Sequence, residues 1–200
     1  IYTGEDTLSL HDALPISVDL DEGDYLIGVA ITDGQSQIML CSDEGKAVRF
    51  DEDEVRAMGR GARGVRGMRL GEGAQVISLM VVASDELFVL TATENGYGKR
   101  TLVSEYRHSG RGTQGVIAID TSERNGKLVA ATLVEAKDQV MLITTGGVLI
   151  RTTVKSIRES GRSTQGVTLI NLGDGEKLSG LERIDEPEVE PGEGDQGELI

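Results

Sequence analysis

Apolar residues along this chain come in short blocks, separated by polar runs that carry glycine, and the blocks return at a fixed step. Tyr25 to Ile31, Val76 to Val82 and Leu128 to Leu133 form one series; Gln37 to Ser42, Phe88 to Thr93 and Gln139 to Thr144 form a second. Runs of this length rich in Val, Ile and Leu predict β-strands. After each second block the chain reaches a glycine, Gly45, Gly96 or Gly147, able to take the positive φ that a tight hairpin needs. A third strand is predicted over Lys46 to Phe50, Lys99 to Val103 and Val148 to Thr152. A polar loop follows, and then a fourth strand over Val65 to Leu70, Val116 to Asp120 and Val167 to Leu172. Four short strands per unit predict an all-β, propeller-like blade.

The unit is 51 residues long and is present three times without a gap, over about 24–74, 75–125 and 126–176. Its most constant element is the loop. Gly59-Arg60-Gly61-Ala62-Arg63-Gly64-Val65 returns as Gly110-Arg111-Gly112-Thr113-Gln114-Gly115-Val116 and as Gly161-Arg162-Ser163-Thr164-Gln165-Gly166-Val167. Arg49, Arg100 and Arg151 are in phase, as are Arg56, Arg107 and Arg158. A partial strand, Leu178 to Ile184, follows the third copy, and three copies are too few to close a typical ring, so a fragment of a larger propeller is expected. Residues 1–17 lack the repeat, and Leu8 to Ile16 resembles a translated sequencing adapter; this segment is expected not to be native.

Charge changes the picture. The net charge of −14 speaks against a polyanionic partner, but residues 1–24 carry seven acids and no base, and residues 182–200 carry eight acids against Arg183. The intervening repeats hold 19 acids and 19 bases, so a neutral body carries a basic rim. Its densest part is Arg56, Arg60, Arg63, Arg66 and Arg69. Guanidinium groups and the amides of glycine-rich turns bind phosphate without reading bases, which makes duplex DNA the expected partner. With aromatics at 3% and no Trp, stacking on single strands is disfavoured. The remaining candidate DNA contacts are Lys99, Arg100, Arg107 and Arg111, then Arg151, Lys155, Arg158 and Arg162.

Other residues read more plainly. Turn geometry accounts for Gly45, Gly59, Gly64, Gly96, Gly110, Gly115, Gly147, Gly161 and Gly166, with close approach of DNA as an added role. The strand arginines Arg49, Arg100 and Arg151 pair with acids such as Asp51 and Glu52 in the structural alternative to DNA contact. His108 has no metal-binding company, Tyr106 stands in register with Val55 and Ile157 as a packing position, and Cys41 in register with Ala92 and Ile143 is a core residue. A single cysteine excludes a disulfide framework and leaves a cytoplasmic protein as the default. No catalytic or metal-ligating constellation is expected. The stretch 185–200, acidic with Pro187 and Pro191, reads as a disordered tail that either aids solubility or competes with DNA for the rim.

Three blocks carry a family resemblance: Val55-Arg56-Ala57-Met58-Gly59, the run Arg63-Gly64-Val65-Arg66-Gly67-Met68-Arg69-Leu70-Gly71-Glu72-Gly73, and Thr93-Glu94-Asn95-Gly96-Tyr97-Gly98-Lys99-Arg100-Thr101. Over residues 18–187 the chain resembles the C-terminal domain of the bacterial DNA gyrase A protein. That resemblance implies a six-bladed β-pinwheel whose later blades are present here. It implies wrapping of double-stranded DNA in support of ATP-dependent negative supercoiling by a type II topoisomerase, a heterotetramer of two gyrase A and two gyrase B chains. ATP and Mg would sit on other domains or on gyrase B, with no cofactor in this fragment. The family's Gln-Arg-Arg-Gly-Gly-Lys-Gly box and the cleavage domain with its tyrosine are missing. The alternatives are the equivalent module of topoisomerase IV, which decatenates, and a generic protein-binding propeller.

Overall fold

The structure is a computed structural model in which residues 20–59 and 62–184 are described. Residues 1–17, Arg60, Gly61 and the 185–200 tail lie outside that set. The described residues contain eleven strands and no α-helix: β1 (Gln37–Ser42), β2 (Lys46–Asp51), β3 (Val76–Val82), β4 (Phe88–Thr93), β5 (Tyr97–Leu102), β6 (Val116–Ile117), β7 (Leu128–Val134), β8 (Gln139–Thr144), β9 (Leu149–Thr153), β10 (Val167–Thr168) and β11 (Leu178–Ile184). No helix among them is long and apolar enough to cross a membrane.

Three hairpins, β1–β2, β4–β5 and β8–β9, fall where the sequence pattern puts them. Each closes through a glycine of positive φ: Gly45 at 72°, Gly96 at 79° and Gly147 at 79°, whose N–H groups donate back to Ser42, Thr93 and Thr144. A side chain there would strain the backbone, so the repeated glycine is a requirement of the turn.

The edges of the sheets depart from expectation. The strand orders are β3-β1-β2-β6, β10-β5-β4-β7 and β11-β8-β9, all antiparallel. The inner hairpin of each sheet therefore comes from one sequence copy and its flanking strands come from the next. Sheets and 51-residue copies do not coincide. The predicted first strand, Tyr25 to Ile31, has no ladder partner among the described residues, and Tyr25 and Ile31 are 78% and 97% exposed. The predicted fourth strand shrinks to two residues in β6 and β10, and Val65 to Leu70 contributes only a bridge between Met68 and Thr113. A short strand suffices because it only has to tie a loop to a sheet edge.

The core lies between consecutive sheets. Met39 and Cys41 of β1 and Met80 and Val82 of β3 pack against Val89 of β4 and Leu128 of β7, whereas Leu90 and Ala92 on the other face of β4 meet Val140, Leu142, Leu178 and Leu181 of the third sheet. Alternation along β4 thus serves two interfaces, which is why it reads as a continuous apolar run. Cys41 is fully buried, and desolvation pushes its thiol up to about 12. Tyr106, 1% exposed, fills the packing position its register predicts.

Candidate nucleic-acid interface

The glycine-arginine loops are positioned by docking onto the edge of the preceding sheet. Ser109 N–H donates to Arg49 O at 2.9 Å, Gly112 N–H to Gly67 O at 2.6 Å and Arg69 N–H to Thr113 O at 2.8 Å before β6 joins the ladder beside β2. The third loop repeats this, with Ser160 N–H on Arg100 O at 3.0 Å, Asp120 N–H on Thr164 O at 3.2 Å, and β10 on β5. Backbone contact is so close that a Cβ on Gly115 would lie 2.1 Å from Ala47 O, and one on Gly166 2.3 Å from Gly98 O. Gly64, Gly110, Gly115 and Gly166 have positive φ, and Gly59 and Gly161 do not.

A carboxylate clasps each docked loop. Glu54 Oε2 accepts the Arg111 N–H at 3.0 Å, and Glu105 Oε2, one repeat on, accepts the Arg162 N–H at 3.2 Å. Sequence reasoning missed this pair, although Glu54 and Glu105 are in phase. The arginines of the motif also turn inward. Arg111 Nε donates to Glu54 O at 2.8 Å and its Nη1 to Arg66 O at 3.3 Å, and Arg162 Nη1 donates to Ile117 O at 3.2 Å. Both are half-buried and partly committed to holding their loops.

The other expected contacts fall into separate groups. Arg56, Arg63, Arg66, Arg69, Arg107, Arg151, Lys155 and Arg158 are exposed. Arg63 faces Asp21 at 3.1 Å with both side chains about three-quarters exposed, a pairing worth little in water. Arg151 donates to Gln139 Oε1 at 2.7 Å. Arg60 lies outside the described residues. Lys99 is a correction: expected at the surface, it is fully buried and its Nζ donates to the carbonyls of Gly161 and Arg162. Desolvation lowers its amine to about 8, with the Glu105 charge opposing. Arg100 is half-buried, with its guanidinium 4.7 Å from the Phe88 ring centre and its Nε on Ile157 O at 2.9 Å. Arg49, 8% exposed, donates to the carbonyls of Val103 and Tyr106 and pairs with Asp85, not with Asp51 or Glu52. The strand arginines Arg49 and Arg100 thus bind one sheet to the turn of the next repeat.

Between Arg69 and the second loop lies an open groove of about 650 Å³, lined by Arg69, Arg107, His108, Ser109 and the segment Gly112 to Gly115. His108 is exposed at its mouth, with Nε2 3.1 Å from Asp51 Oδ1. Two guanidinium groups beside a glycine-rich turn offer charge and directed donors to an anion of phosphate type. Among the described residues no group of three or more His, Cys, Asp or Glu side chains could hold a metal.

Compared with known proteins, the chain matches the family described as DNA gyrase C-terminal domain, beta-propeller, over residues 36–83, 88–135 and 138–185. It is 55% identical over 172 residues to the DNA gyrase A protein of Pseudomonas aeruginosa, covering 86% of this chain and 18% of that protein. To the DNA gyrase A protein of Escherichia coli K12 it is 52% identical over 178 residues, covering 89% and 20%. The chain therefore spans about a fifth of the length of these relatives. Among solved structures, the C-terminal domain of DNA topoisomerase IV superposes with a TM-score of 0.80 at 25% identity, covering 84% of this chain and 53% of that one. A DNA gyrase A C-terminal domain gives 0.77 at 26% identity, covering 86% and 57%. Sheets built by exchange of edge strands and three matched spans in register with the three hairpins lead to one assignment: the chain belongs to the DNA gyrase C-terminal domain, beta-propeller family.

Proposed function

We propose that this chain binds double-stranded DNA along its loop-bearing rim and wraps it, as the C-terminal module of a gyrase A-type protein. The observation that carries this is the series Arg56, Arg107 and Arg158. One stands in each repeat at the same phase, and all three are exposed with no ion-pair or hydrogen-bond partner for the guanidinium among the described residues. Cations at a regular spacing beside docked loops suit a bent phosphate backbone, and bending 20 to 30 base pairs costs on the order of 1–6 kcal/mol, which several phosphate contacts offset. In the whole protein this module works in the cytoplasm with the rest of gyrase A and with gyrase B, where ATP and Mg belong. Its own role is mechanical and not catalytic.

A salt titration of duplex binding tests the reading. Affinity falls steeply as salt rises, and replacing Arg56, Arg107 and Arg158 by Gln flattens the log–log slope by about one unit for each phosphate that is no longer neutralised. Binding that is absent at low salt, or insensitive to it, rejects DNA in favour of a protein partner. The likeness to the topoisomerase IV domain supports a second reading, decatenation. Supercoiling and decatenation assays on the full-length protein with its ATPase partner separate the two.

A further inference from the structure

The repeats look alike, but the junctions between their loops do not carry the same charge. At the first junction Arg69 N–H bonds to Thr113 O, and at the second Asp120 N–H bonds to Thr164 O, so Arg69 and Asp120 occupy equivalent places in the same stitch. Arg107 and His108 of the first junction correspond one repeat later to Arg158 and Glu159. All six residues are exposed. The first junction thus presents two guanidinium groups and an imidazole around the 650 Å³ groove, with Asp51 on the imidazole as counter-charge. The second presents Arg158 beside two carboxylates, with Asp120 Oδ2 facing the Gln165 amide at 3.4 Å. Its other guanidinium, Arg124, is engaged with Gln165 Oε1 at 2.9 Å and with the face of the Tyr97 ring.

We propose that the groove between Arg69 and the second loop is the principal phosphate site of this chain, with His108 as its third contact, and that Asp120 and Glu159 weaken the equivalent place one repeat on. This rests on the DNA-binding reading above. Phosphate is attracted to clustered guanidinium groups and repelled by carboxylates at hydrogen-bond range, and the two junctions share the stitch between their loops while differing in the charge they present. A duplex following the rim is therefore gripped unevenly, tightly at one junction and loosely at the next.

The test uses the whole chain, a random-sequence duplex and salt titration. Arg69→Gln with Arg107→Gln lowers the log–log slope by about two, whereas Arg158→Gln lowers it by clearly less than Arg107→Gln does. His108→Glu, which installs the acid of the next repeat, weakens binding at fixed salt. Asp120→Arg with Glu159→His does the reverse, steepening the slope; Gln165 keeps its 3.0 Å bond to Ser122 in that variant. Circular dichroism confirms that each variant folds. Equal losses from Arg107→Gln and Arg158→Gln, or no gain from the double exchange, overturn the proposal while DNA binding stands. Loss of salt-dependent binding in the unsubstituted chain itself would instead sink the DNA-binding reading.

Discussion

At one register position the three sheets hold Val48, Lys99 and Ile150. The first two are 1% and 0% exposed; Ile150 is 38% exposed, and its neighbour Leu149 is 60% exposed where the equivalent Ala47 is 1%. All three residues sit on the third strand of their repeat, and what differs is the cover. The second loop lies along β2 and the third along β5, each anchored by a two-residue strand, whereas β9 has no such partner among the described residues. Burial at this edge is thus completed by the following repeat and is not a property of the repeat's own sequence alone. Stability is shared between neighbours, as in other repeat proteins.

The sharpest way to break the covered edge is to push its loop away. Gly115 combines a φ of 74° with a potential Cβ 2.1 Å from Ala47 O, and the clash is with backbone that cannot rotate aside. Gly115→Ala is expected to cost more than about 3 kcal/mol. Gly64, at the same place in the first loop, has a φ of 78° and nothing within 4 Å of a potential Cβ, so Gly64→Ala carries only the conformational penalty, about 1 kcal/mol. Urea midpoints of the two variants measure the contrast. Similar losses would mean that the first loop also rests on a sheet edge.

Much of this is legible in the sequence, and the parts that are not share a cause. The step, the three hairpins and the packing roles of Tyr106 and Cys41 follow from periodicity, because alternation and turn residues are local. Partner choice is not. Val76 to Val82 has the same pattern whether it pairs with its own hairpin or, as found, with the preceding one. Arg107 and Arg111 stand four residues apart in one loop, yet one is exposed and the other is tied to Glu54, 57 positions away. For Lys99 a signal existed: register with Val48 and Ile150 marked an inward position, and its positive charge drew it into the DNA-binding set instead.

Lys99 sharpens the comparison by pH. The folded chain holds its amine at about 8 against an ordinary 10.5, chiefly by desolvation. Below pH 8 both folded and unfolded chains carry the proton, and the folded chain bears the cost of burying it. Between about 8 and 10.5 the unfolded chain retains a proton that the folded one has released, so this residue's contribution to stability rises with pH across that window. Cys41 and Tyr106, both raised by burial, act in the opposite sense at higher pH, so the quantity to follow is the difference between the unsubstituted chain and Lys99→Met. That difference shifts in favour of the unsubstituted chain from pH 7.5 to 9 in urea titrations. A difference that stays flat would show that the amine is hydrated and the third loop is not closed over it.

The smallest effect asks whether the exposed edge is exposed in solution. Val48 packs with Phe50 and Met68, so Val48→Thr buries a hydroxyl among apolar atoms and costs about 1–3 kcal/mol. Ile150→Thr, at the same register on β9, places the hydroxyl where water reaches it and changes stability by about 0.5 kcal/mol or less. The pair controls for strand position and for β-branching, since Thr and the residues it replaces are all β-branched, and the carbon that Ile150→Thr also removes works against the expected contrast. Otherwise only the cover differs. If the two substitutions cost the same, the β9 edge is occupied in solution, and the occupant must come from residues outside those described or from another copy of the chain. If they differ as expected, the loop of the next repeat is what turns a strand edge into core.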